Sequence, residues 1–178
     1  MANLFIIIGV SGSGKSTVAE QLAEKIGYSF IDADDFHSEN AKAKMAAGEA
    51  LTDELRSQWM QHLQRFLMRK AKQGTSIVLA HSGLKKVHRD MLRVIGFKPH
   101  FFFLEGSESV IAQRMKKRSE HFFPVNLLHS QFQTLEHPKL SQQKGEELDV
   151  NIISIEQSIN AIVTQVESAA IKLITSSA

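Results

Sequence analysis

Short, nearly continuous apolar runs recur along the chain at Leu4–Ile8, Tyr28–Ile31, Ser76–Ala80, His100–Leu104 and Val150–Ile155. A strand with one wet face alternates apolar and polar residues, so unbroken runs point to a sheet covered on both faces. Between them the apolar period lengthens, predicting helices over about 15–26, 38–47, 52–73, 84–95, 107–119, 125–135 and 156–174. The last repeats Ile159, Ile162, Val163, Val166 and Ala170 at helical spacing, the signature of core packing. Strand–helix alternation predicts a doubly wound α/β fold, with ligands at the carboxyl edge of its strands. Two segments interrupt the alternation. One, about 35–60, carries Gly48 and is expected to bind an acceptor; the other, about 118–148, mixes aromatic, polar and charged residues and is expected to be a lid. With no repeat, low-complexity stretch or linker, residues 1–178 are expected to form one domain.

The first apolar run leads directly into Gly9-Val-Ser-Gly-Ser-Gly-Lys-Ser-Thr17, the phosphate-loop pattern G-x-x-x-x-G-K-[ST]. Its glycines let the backbone turn N–H groups onto phosphate oxygens, and the helix that follows adds its positive end. Gly9, Ser11, Gly12, Ser13, Gly14, Lys15, Ser16 and Thr17 are therefore expected to bind a nucleoside triphosphate. Lys15 should reach the β- and γ-phosphates, and the Ser16 hydroxyl should ligate Mg²⁺. The competing reading is a Gly/Ser-rich turn with a solvated lysine, which leaves the flanking strand and amphipathic helix unexplained.

Composition narrows the remaining classes. The chain is 43% hydrophobic and 22% charged, with a net charge of +2 and no cysteine. That excludes disulfides and thiol chemistry and is ordinary for a globular protein. No apolar stretch reaches the length of a membrane span, and Met1-Ala2-Asn3 does not open an export signal, so a cytoplasmic protein without membrane contact is expected. Basic clusters at Lys85–Arg89 and Arg114–Arg118 lack interleaved aromatics, so no nucleic-acid partner is expected; small anionic ligands account for them as well. The histidines, notably His121, His129 and His137, do not match compact zinc spacing. Trp59, Leu63, Phe66 and Leu67 follow helical spacing and read as core.

Further motifs follow in order: Asp32-Ala-Asp34-Asp-Phe-His37, then Asn40, Lys44-Met45, Gly48, Asp53, Arg56 and Trp59. Ser82-Gly-Leu-Lys-Lys-Val-His-Arg-Asp90, His121-Phe-Phe123 and Ser130-Gln-Phe132 with Leu135-Glu136 complete the set. Over about residues 4–155 this set resembles the bacterial gluconate kinases, small phosphate-loop kinases related to shikimate and nucleoside-monophosphate kinases. The resemblance implies a three-layer α/β/α fold with a five-stranded parallel sheet in the order 2-3-1-4-5. It also implies ATP and Mg²⁺, D-gluconate as acceptor, and a homodimer. Ala50, Leu55, Gln58, His81, Gly83 and His88 depart from the family pattern, which bears on acceptor preference.

On that resemblance Asp34 would hold the acceptor hydroxyl and serve as base, and Asp32 would support Mg²⁺ with Ser16. The competing reading makes these aspartates helix caps. Arg56, Lys85 and Arg89 would bind the substrate carboxylate, with His37 and Asn40 on its hydroxyls; surface ion pairs are the alternative for each. Arg114 would contact the nucleotide, and Arg118, four residues on, would act from the lid on the transferred phosphoryl group. The third strand ends in Ala80-His81-Ser82 without an acidic residue, which favours the small kinases over motor ATPases. Shikimate kinase is the near alternative, although no triple-glycine loop follows that strand. A nucleotide sensor without turnover and a nucleic-acid end kinase are the more distant ones.

Overall fold

Each strand presents alternate residues to two different helical layers, and the computed structural model shows how. It describes residues 1–117, 125–138 and 147–176. Five parallel strands, β1 (Asn3–Ile8), β2 (Ser29–Asp32), β3 (Ile77–His81), β4 (Lys98–Glu105) and β5 (Val150–Ser154), form one sheet in the expected order β2-β3-β1-β4-β5. Phe5, Ile7, Val78, Phe102 and Leu104 face one side, against α1 (Lys15–Ile26) and, at the chain's end, Ile162, Val163 and Val166. Leu4, Ile6, Ile8, Leu79, Phe101 and Phe103 face the other, against Leu63 and Leu67 and against Leu92. Unbroken apolarity follows because both sets of alternate residues are buried.

The remaining elements, in chain order, are α2 (Glu39–Ala46), α3 (Asp53–Lys72), α4 (Lys86–Arg93), α5 (Glu108–Lys117), α6 (Val125–Thr134) and α7 (Ile159–Thr175). Side-chain hydroxyls set three of their starts: Ser38, Thr52 and Ser158 accept from the backbone N–H of Ala41, Leu55 and Ala161. The Ser158 cap is why α7 begins at Ile159 rather than near 156. β4 exceeds its apolar run because Asn3 pairs with Lys98 and extends the ladder. Among the described residues no helix is long and apolar enough to cross a membrane.

The segment expected to bind an acceptor forms a 3₁₀ turn (Ala33–Phe36), α2 and the start of α3. Of the expected lid, α6 is described. Arg118, His121, Phe122 and Phe123 lie outside the described residues.

Candidate active site

The loop from β1 to α1 is built to leave donors open. α1 starts after Gly14, whose φ of 99° disfavours any side chain, and no side chain caps it. Its first N–H groups are therefore available to an anion. Gly12 is equally constrained, because a Cβ there would lie 2.6 Å from the Met115 side chain of α5. Lys15 Nζ donates to the Val10 carbonyl at 3.0 Å, folded back along the loop. Burial lowers its pKa, opposed by the charges of Asp34 and Asp32.

β2 delivers the carboxylates. Ser16 Oγ donates to Asp32 Oδ2 at 2.6 Å, while Asp32 Oδ1 accepts from the Asp34 backbone N–H at 3.0 Å. One carboxylate thus caps the 3₁₀ turn and also binds the phosphate-loop hydroxyl, so the two sequence readings of Asp32 describe two oxygens of one group. A hydroxyl and a carboxylate are the hard oxygen donors that suit a divalent cation such as Mg²⁺. The Asp34 side chain is 73% exposed to the cleft. Desolvation by the cleft walls raises its pKa, with Lys15 and then His37 pulling the other way.

Beside Asp34 three rings stack. The His37 and Trp59 centroids lie 4.4 Å apart with planes 15° off parallel, and Trp59 and His81 lie 4.9 Å apart at 4°. Trp59 Nε1 donates to the Ala33 carbonyl at 2.7 Å, tying α3 to the turn that carries Asp34. Trp59 is buried, as its spacing predicted, and it also floors the cleft. The Gly83 N–H donates to His81 Nδ1 at 2.9 Å, which assigns the His81 proton to Nε2, 3.2 Å from Met60 Sδ. Burial, with the positive neighbours His88, Lys15 and His37, depresses the His81 pKa to about 3. A histidine that stays neutral suits a buried place in a stack.

These walls enclose a cavity of about 400 Å³ that opens from Ser11 and Lys15, passes Asp34 and His37, and reaches Arg56, Lys85 and His88. The volume falls in the usual range for a small-molecule site. Its far end is cationic; Glu49, also on the lining, pairs with Lys44 at 3.1 Å. The Arg56 Nη1 bond to Asp53 is 3.3 Å long and exposed, so it holds the guanidinium weakly. Desolvation lowers the His88 pKa, assisted by Lys85 and Arg56.

The structure sets three of the expected site residues apart from the cavity. Arg89 is 1% exposed and does not line the cavity. Its guanidinium is consumed by Glu147 in two bonds of 2.6 and 2.9 Å and by the carbonyls of Gly83, Leu84 and Glu136. It anchors the chain on both sides of 139–146 to α4 and leaves no donor for a substrate. Asn40 is exposed on α2, outside the cavity. Arg114 donates to the carbonyls of Ile155 and Gln157, so it orders the turn between β5 and α7. Of the histidines considered, His129 pairs with Glu108 at 3.2 Å and His137 with Glu105 at 2.6 Å. Glu49 and Gln131 line the cavity without having been assigned a role. No local pattern of period or charge marks either residue in the sequence.

A phosphate loop, a paired-aspartate strand end and an adjoining cationic cavity on a 2-3-1-4-5 sheet define a phosphate-loop small-molecule kinase. A family model described as an AAA domain matches residues 4–138. A gluconokinase of Arabidopsis thaliana is 38% identical, with 92% of each chain covered. The thermoresistant gluconokinase of Escherichia coli is 37% identical over 90% of this chain and 89% of its own. A crystal structure of a gluconokinase from Sinorhizobium meliloti superposes with a TM-score of 0.84 at 37% identity, covering 96% of this chain and 93% of that one. The chain belongs to the gluconokinase family.

Proposed function

We propose that the protein transfers the γ-phosphoryl group of ATP to the terminal hydroxyl of D-gluconate, giving 6-phospho-D-gluconate and ADP. The observation that carries this reading is the single cavity joining Lys15 and Asp34 to the cationic end at Arg56, Lys85 and His88. A polyol acid has the matching polarity, with a carboxylate at one end and a reactive alcohol at the other.

The open N–H groups of the loop and α1 hold phosphate oxygens, and Lys15 leaves the Val10 carbonyl to neutralise charge on them. Asp34 accepts a hydrogen bond from the terminal hydroxyl and takes its proton as that oxygen bonds to phosphorus and the β–γ bridging bond breaks. Arg56 and Lys85 grip the carboxylate, which fixes the far end and aligns the alcohol. His37, stacked on Trp59, stands beside Asp34 for the hydroxyls nearest the reacting end. Ser16 and Asp32 would hold Mg²⁺, which when bound supplies neutralisation of the phosphate charge. Arg118 is proposed to complete this charge balance from the lid. A homodimer is proposed on the family resemblance and tested by light scattering on the purified protein.

The deciding experiment is a coupled ADP-release assay over gluconate, idonate and shikimate. Gluconate should turn over fastest; turnover restricted to shikimate, or ADP release that ignores every acid, would overturn the reading.

A further inference from the structure

Gln131 ties α6 to the phosphate loop by two bonds. Ser130 and Thr134, its neighbours at the cavity, bond carbonyls within their own helix. Gln131 instead reaches across 120 positions of sequence to the phosphate loop: Ser11 N–H donates to its Oε1 at 2.7 Å, and its Nε2 donates to Ser11 Oγ at 2.9 Å. These bonds determine each other. The backbone N–H can meet only the amide oxygen, so the amide nitrogen must face the hydroxyl and must donate to it. A hydroxyl that accepts from Gln131 has to send its own proton elsewhere. Ser11 lines the cavity together with Lys15 and Asp34, at the junction of the loop and the acceptor chamber.

α6 is itself held at the acceptor side. The Glu136 N–H donates to the Leu84 carbonyl at 2.8 Å, and Glu136 Oε2 accepts from the Lys86 N–H at 2.6 Å. The helix and the turn after it therefore bridge the loop that opens α4 and the third residue of the phosphate loop.

We infer that Gln131 is a positioning residue that presents the Ser11 hydroxyl as a hydrogen-bond donor to the terminal phosphoryl group of the bound triphosphate. The inference rests on the proposed triphosphate site and not on the identity of the acceptor. A donor aimed in advance at an anion costs no reorientation when charge develops there. Gln131 itself touches no phosphate; its effect passes through Ser11. The diphosphate lacks the group concerned, so the arrangement discriminates ATP from ADP.

The test is calorimetric binding of ADP and of the β,γ-imido analogue of ATP, each with Mg²⁺, to the full chain and to Ser11→Ala, Gln131→Ala and the double variant. Each single change should weaken the triphosphate analogue about ten- to a hundredfold, the scale of one hydrogen bond to a charged group, and ADP less than twofold. The double variant should be no weaker than either single one, because both remove the same donor. Equal losses for ADP and the analogue, additive losses, or no loss would overturn the inference. A merely structural pin would move ADP affinity and the thermal midpoint together. Should Gln131→Ala fail to fold, Gln131→Glu keeps the length and the acceptor for Ser11 N–H while turning the hydroxyl proton onto itself. The same selective loss is expected there, and unchanged discrimination would again overturn the inference. Failure of gluconate in the acid panel leaves these affinities untouched, so the two readings fail separately.

Discussion

The two ends of the cleft are made in different ways. The nucleotide end comes from one stretch of chain, Gly9–Thr17, plus Asp32 at the end of β2 and Asp34 in the turn that follows it, and much of its chemistry is backbone N–H. The acceptor end is assembled from side chains on three separate stretches: the 3₁₀ turn, α2 and the start of α3, the loop before α4 with α4 itself, and α6. Backbone chemistry depends on conformation and tolerates varied side chains, whereas a cavity of charged and stacked side chains changes character with each substitution. The departures from the family pattern at Ala50, His81, Gly83 and His88 all fall at the acceptor end. The phosphate loop shows none.

The comparison is broken hardest at Asp34, where the two ends meet. Asp34→Asn should lower gluconate-dependent turnover about 10²- to 10⁴-fold with an unchanged thermal midpoint. Retained turnover would remove the proton acceptor. Because Asp34 is raised above the ordinary carboxylate value in the free protein, the acid limb of kcat/KM should lie above that value, with activity lost as pH falls through it.

Arg89→Ala separates support from binding. Glu147 is 4% exposed at its side chain and held below the ordinary carboxylate value, against desolvation, by hydrogen bonds from Arg89 and Arg93. Removing Arg89 leaves that charge half-compensated and should cost about 3 kcal/mol in chemical denaturation. A rise in gluconate KM without loss of stability would return Arg89 to the substrate.

His81 gives the acceptor end an acid weakness. Its folded pKa, about 3, lies below the unfolded value of about 6.5. The unfolded chain binds the extra proton, so stability is complete above pH 6.5 and falls toward pH 3, by about 3 kcal/mol at pH 4. His81→Asn, whose Oδ1 can accept from the Gly83 N–H in place of Nδ1, should flatten that slope in melts at pH 4 and 8.

Arg56→Ala should raise the KM for gluconate about ten- to a hundredfold and leave ATP binding alone, the scale of a charge-assisted hydrogen-bond pair. A loss confined to ATP would contradict its place at the cationic end. Smallest of all, Thr52→Ala should cost about 1 kcal/mol of stability through the cap of α3, the helix that carries Arg56 and Trp59.

Much of the fold was legible because its signals are local. Unbroken apolar runs, helical periods and a glycine-rich bend each need only neighbours in sequence, and element ends moved by a few residues where a cap or a ladder pair intervened. The setting of Arg89 is illegible for the opposite reason. An arginine among basic residues looks solvent-facing until Glu147, 58 positions away, is brought against it. The His37–Trp59–His81 stack and the Gln131–Ser11 pair join residues from different elements, and no spacing rule reaches across them.

By itself the sequence determined the strand–helix order, the phosphate loop and the pair of aspartates at the end of β2, since period and conformational preference act over a few residues. Which cations face a ligand and which are spent holding the protein together was decided only by tertiary structure. That choice turns on burial and on the distance to a partner, and both are properties of the folded chain alone.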